Sequence, residues 1–179
     1  PCETKSLYNS SFSKSIYHAS QNSAFVRTFG NPGISSIVWE YVIISAHFSV
    51  HYNITGPHAT NHEYAQTVSY ALEHSWTTEV TNFGFKAPPD SHMNAYLENL
   101  PPDTFGVTYS YYTPSTEWHV ENITIDIGMN TGLARATSAH ELFHAVQISY
   151  YANDSNAPEG EWIEDGTAKW IESKVYPEY

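Results

Sequence analysis

The chain has 179 residues, a length that suits one domain able to bury a core of its own. Hydrophobic residues make up 41% and charged residues 15%, which excludes a disordered charged tail, and the 15% of aromatics supply rigid amphipathic surface for cores and clefts. Seven Lys and Arg against 19 Asp and Glu give a formal charge of −12, and this shortage of clustered cations excludes a sequence-independent nucleic-acid binder and disfavours anionic membranes.

The chain opens Pro1-Cys2 without a Met and without a basic-led signal peptide, which reads as a mature or trimmed form. Cys2 stands alone, so no internal disulfide is expected. Residues 1–36 are polar with little periodicity and read as an irregular or short-helical lead-in, with one domain following over 37–179. Residues 37–50 form the most apolar stretch, but Glu40, Ser45 and His47 interrupt it and its length fits a strand rather than a membrane span. Residues 38–52 are rich in β-branched and aromatic residues and read as one long strand or two short ones, ended by Gly56-Pro57.

Residues 61–80 read as a helix that Thr60 and Glu63 would open as a capping box. Tyr64, Val68, Leu72, Trp76 and Val80 recur every four residues and make its core stripe. Residues 94–99 fit a short strand or a helical turn equally. Residues 105–113 and 120–127 alternate as strands, joined through Pro114, Ser115 and Thr116 as antiparallel neighbours. Helices are expected over 132–151, with Leu142, Val146 and Tyr150 on one stripe, and over about 161–175, with a compact loop from Asn153 to Pro158 between them. This order of strands and helices predicts an α+β fold with a mixed or antiparallel sheet. Four Asn-x-Ser/Thr sequons, at Asn9, Asn53, Asn122 and Asn153, point toward a secreted protein.

His140-Glu141-Leu142-Phe143-His144 is an H-E-x-x-H pentapeptide within the second helix. Helical residues four apart share a face, so both imidazoles can bind one Zn²⁺. Glu141 sits about 100° further round the helix, where a carboxylate can take a proton from a water on the metal and pass it to a leaving amine. Ala139, Leu142, Phe143, Ala145 and Val146 surround the motif, so the helix is expected to be buried, and buried histidines need partners.

Downstream, residues 162–172 read Trp-Ile-Glu-Asp-Gly-Thr-Ala-Lys-Trp-Ile-Glu. Here the chain resembles the thermolysin-like gluzincin clan of zinc metallopeptidases, where a W-x-x-E-G-x-A-type helix about twenty residues on supplies the third ligand. It is nearer to a family of secreted bacterial and archaeal metallopeptidases with an H-E-x-x-H-A-V-Q helix and a W-x-x-E-x-x-A-x-W-x-E helix. The counterparts here are His140 to Gln147 and Trp162 to Glu172, and Phe48-Ser49-Val50-His51-Tyr52 echoes an upstream strand of that family. The resemblance is specific over 137–177 and looser over 47–112. It implies a zincin-like fold in which His140, His144 and Asp165 hold the metal, with Asp165 one methylene shorter than the family's Glu and Glu164 as the alternative ligand. It also likens the strand 120–127 to the clan's cleft edge, where an extended peptide or protein substrate would pair by β-augmentation. Glu172, Asp126 and Glu121 are candidates to support a ligating His, and Tyr150, Tyr151 and Tyr112 to stabilise an oxyanion.

The remaining histidines fit structural roles better, with His47 and His51 on one strand face and His58/His62 the least implausible second metal site. No G-x-S-x-G elbow or glycine-rich phosphate loop is present, and Cys2 is a poor nucleophile candidate. Three readings follow. The first is a secreted zinc endopeptidase with Glu141 as general base and acid. The second is an inactive or weakly active binding module that keeps the helix pair, motivated by Asp165 and by the 14 residues that follow it. The third is a latent enzyme whose residues 1–46 occupy the cleft.

Overall fold

The computed structural model describes residues 5–7, 15–19, 37–113, 117–151 and 161–179. Five strands form a mixed sheet: β3 (Tyr41–Ile44), β4 (Phe48–Tyr52), β5 (Met93–Glu98), β6 (Gly106–Tyr112) and β7 (Trp118–Asp126). β4, β5 and β7 run parallel in that order, while β3 and β6 flank them antiparallel. Two further strands, β1 (Lys5–Leu7) and β2 (Ser15–Ala19), extend the sheet beyond β6, giving the order β1-β2-β6-β7-β5-β4-β3. With helices α1 (His62–Trp76), α2 (Thr131–Ile148) and α3 (Glu161–Val175), the class is α+β with a mixed sheet, as the pattern of elements predicts.

The apolar stretch 37–50 resolves into parts of two strands, because Ser45 and His47 turn the chain between β3 and β4. Gly56 then reverses direction at φ +83°, a conformation that disfavours a side chain. α1 is capped by Asn61, whose side-chain oxygen accepts the Tyr64 N–H at 2.8 Å. The expected Thr60/Glu63 capping box does not form, because the Thr60 N–H is already spent on the Asn53 carbonyl. Tyr64, Val68, Leu72 and Trp76 are buried as the four-residue period requires.

After Trp76 the helix widens into a π turn, Thr77–Asn82. Ser75, Thr77 and Thr78 all donate their hydroxyls to carbonyls four residues back, at Ala71, Glu73 and His74. Such back-bonding competes with the helical N–H ladder and loosens it.

Two corrections concern the sheet. The lead-in is not wholly irregular or helical, since its residues 5–7 and 15–19 are strands. The strand expected over 120–127 is β7, which lies between β5 and β6 and offers no free edge for a peptide. Sequon geometry also differs from that of a glycan acceptor at two sites. Asn53 is buried, accepting the Glu40 N–H and donating to the Val38 carbonyl, and Asn122 sits inside β7 opposite Tyr109. The sequons at Asn9 and Asn153, the 153–158 loop, Cys2 and the Pro114–Thr116 connection fall outside the described residues.

α2 is apolar on nearly all sides, and its packing explains why. Ala134, Leu142, Ala145 and Ile148 join β4, β5, β7 and α1 in the main core, while Ala139, Phe143 and Val146 meet Ala168, Ile171 and Val175 of α3. The H-E-x-x-H motif therefore sits on a helix sandwiched between the sheet and α3. Among the described residues no helix is long and apolar enough to cross a membrane.

Candidate metal centre

His140 and His144 lie one turn apart on α2, buried, with their Nε2 atoms 3.1 Å from each other. α3 brings Asp165 to them, its Oδ1 3.3 Å from His140 Nε2. The three donor atoms lie within 4.8 Å of one another. Around a tetrahedral Zn²⁺ with ligand distances of about 2.0–2.1 Å, neighbouring donors stand about 3.3 Å apart. The 3.1 and 3.3 Å separations are close to that spacing, so the group could hold a metal ion, and the Asp165 side chain, 35% exposed, is the member nearest solvent.

A second layer of contacts orients these donors. Glu172 Oε2 lies 3.4 Å from His140 Nδ1, and its other oxygen accepts from Lys169. Burial opposes charge on His140, yet hydrogen bonds to Asp165 and Glu172 and the nearby Glu141 charge outweigh it and raise the pKa to about 9. Burial likewise works against the Glu172 carboxylate, but His140 and Lys169 hold it below its usual range. The surrounding carboxylates thus favour positive charge at His140.

His144 Nδ1 lies 2.7 Å from Gln147 Oε1, and Gln147 Nε2 donates to the Glu164 carbonyl and to Thr167 Oγ1, both at 2.8 Å. Glu164, the alternative ligand, is buried, and its Oε1 accepts from the Tyr151 hydroxyl at 2.7 Å. Neighbouring helical residues point about 100° apart, and among the described residues Asp165 is the acid grouped with the two histidines. Burial and the Glu164 charge push the Tyr151 phenol well above its ordinary pKa.

Glu141, whose charge also acts on His140, is fully buried against β6. The Thr108 hydroxyl lies 2.9 Å from Glu141 Oε2 and 2.8 Å from its backbone carbonyl. Gly106 leaves the room for this carboxylate, since a Cβ there would stand 2.6 Å from Glu141 Cγ. Along β6, small or hydroxyl residues (Gly106, Thr108, Ser110) alternate with Val107, Tyr109 and Tyr111, and that alternation is a sequence signal for a face pressed on a helix. Thr108 and Gln147 were not among the expected site residues; Gln147 was legible as a polar group three residues beyond His144 on one helix.

Asp126 and Glu121 are not part of the His140, His144 and Asp165 group among the described residues. Asp126 accepts from the Leu100 and Gly128 N–H groups, and Glu121 is on β7, its carboxyl pKa raised by burial. Tyr151 is committed to Glu164, the Tyr150 hydroxyl accepts from the Lys86 N–H, and the Tyr112 side chain lies outside the described residues. His47 does not share a strand face with His51: it lies ahead of β4, paired with Glu73 and stacked on Trp76, whereas His51 contacts Asn94 and Tyr96. His58 and His62 go to separate partners, the Asn99 N–H and the Tyr52 hydroxyl. Comparison of the chain with family models, curated proteins and solved structures returned no match.

Proposed function

We propose that the chain is a zinc-dependent endopeptidase of gluzincin type, secreted and acting on extended peptide or protein substrates. The observation that carries this reading is the convergence of His140, His144 and Asp165, with a buried carboxylate, Glu141, next to His140 on α2. The match of donor separations to a tetrahedral zinc set supports the choice of metal. When bound, zinc supplies a Lewis acid for the scissile carbonyl and a water that loses a proton near neutral pH. Glu141 would serve as the base for such a water and as the acid for the leaving amine, with Thr108 holding one of its oxygens in place. Glu172 and Gln147 hold the two imidazoles in orientation.

The test is hydrolysis of casein with added zinc and with a chelator, alongside Glu141→Gln. The variant is expected to keep zinc and lose about 10²–10⁴ in rate. Cleavage that survives chelation, or a variant as fast as wild type, would overturn the reading. Zinc binding without cleavage, in the full chain and in a form trimmed of residues 1–36, would favour an inactive binding module.

One observation favours a latent form of the same enzyme. β2 pairs antiparallel along β6, from Ser15 opposite Tyr111 to Ala19 opposite Val107, and β6 is the strand that lies against Glu141. An extended substrate pairing on β6 would have to take that place. Removal of residues 1–36 is then expected to raise the rate, and an unchanged rate would remove the latent form.

A further inference from the structure

We infer that Gln147 is a positioning residue that fixes the tautomer of His144 and ties it to the helix carrying Asp165. The inference rests on the metal-centre reading for its purpose, but its geometry stands by itself. One end of the Gln147 amide is 2.8 Å from the Glu164 backbone carbonyl, which can only accept a hydrogen bond. That end is therefore the NH₂ group. Its second hydrogen goes to Thr167 Oγ1 at 2.8 Å, whose own hydroxyl donates to the Ile163 carbonyl at 2.7 Å. The other end of the amide is then the carbonyl oxygen, facing His144 Nδ1 at 2.7 Å.

An amide oxygen cannot donate, so the hydrogen in that contact belongs to His144 Nδ1. In the neutral imidazole this leaves the lone pair on Nε2, the atom 3.1 Å from His140 Nε2. Two ring nitrogens at that distance need one donor and one acceptor, and Gln147 settles that His144 accepts. The same side chain grips the first turns of α3 at residues 164 and 167, flanking Asp165. A single amide thus aims one donor of the triad and holds the helix that delivers another. Ala168 and Ile171 belong to the apolar cluster that docks the body of α3.

The direct readout is ¹⁵N NMR of the His144 ring in the metal-free full chain. The expected pattern is a protonated-type Nδ1 and an unprotonated-type Nε2; the reverse pattern would overturn the inference without any variant. Gln147→Leu is expected to mix the tautomers and weaken zinc binding about 10- to 100-fold in competition with a chromophoric chelator. Gln147→Glu keeps an acceptor for Nδ1 and is expected to restore the tautomer but not the full affinity, since its donors to α3 are gone. Thr167→Val, which cuts one arm to α3, should leave the tautomer unchanged. A folded Gln147→Leu chain with the wild-type tautomer and zinc affinity would refute the role. A wild-type chain that shows the expected tautomer yet binds no zinc would contradict the endopeptidase reading and support the bridge alone.

Discussion

Gly106→Ala gives the sharpest test of how β6 shapes the site. The added Cβ would stand 2.6 Å from Glu141 Cγ and 2.8 Å from both Glu141 Oε1 and Thr137 Cγ2. Ordinary contact begins at 3.4 Å, so the Glu141 side chain must give way by about 0.8 Å at Cγ, from 2.6 to 3.4 Å. It has little room to do so, because Glu141 is fully buried and its Oε2 is bonded to Thr108 on the same strand. Overpacking of this kind costs about 1–3 kcal/mol, and each kcal/mol lowers Tm by about 2–4 °C in a domain of this size. A catalytic group displaced by about 1 Å loses about 10²-fold in rate. The three donor side chains are not among the atoms nearest that Cβ, so zinc affinity is expected to hold. Thermal melts, chelator competition and hydrolysis of a quenched peptide read the three effects separately. A Gly106→Ala chain with wild-type Tm and wild-type rate would refute the placement of Glu141 against β6.

Glu79, in the π turn, is fully buried and neither carboxylate oxygen meets a hydrogen-bond partner among the described residues. Burial raises its pKa well above the ordinary 4.5, so the folded chain keeps a proton that the unfolded chain releases. Stability from this group is therefore lost as pH rises above 4.5, and Glu79→Gln should gain on wild type in Tm as pH rises from 4.5. Parallel Tm–pH curves for the two chains would contradict the burial argument. Asp165→Asn is expected to weaken zinc binding by more than the about 10- to 100-fold typical of residues that only support a ligand, whereas Glu164→Gln should stay at or below that range. Equal losses measured by chelator competition would mean that both acids reach the metal.

Much of the helical architecture was legible from local signals. The existence of α2 and α3 follows from periodicity, but α2 ends at Ile148 rather than 151, so Tyr150 lies beyond it, exposed rather than on its stripe; the buried stripe of α1 follows from residues 64, 68, 72 and 76. The cap of α1 was misjudged by one residue because Asn61 and Thr60 are both good caps, and only the pairing of Thr60 with Asn53 decides between them. β5 was ambiguous because Met-Asn-Ala-Tyr-Leu-Glu suits either element, and its burial on the parallel strands β4 and β7 is a tertiary fact. Strand order is likewise tertiary: nothing within 120–127 reveals that β6 rather than β7 lies toward the outer side of the sheet. At the site, H-E-x-x-H spacing marks the helix face, while the choice between Asp165 and Glu164 depends on how α3 rotates against α2. The Thr108 contact and the Gln147 bridge to α3 were hidden for the same reason, since each acts across elements.

Anomalous diffraction at the zinc edge, from crystals of the full chain loaded with zinc, addresses the central claim most directly. The account predicts one strong peak at about 2.0–2.2 Å from His140 Nε2, His144 Nε2 and an Asp165 carboxylate oxygen. A loaded crystal with no peak between those side chains, or with the ion held by other residues, would contradict it.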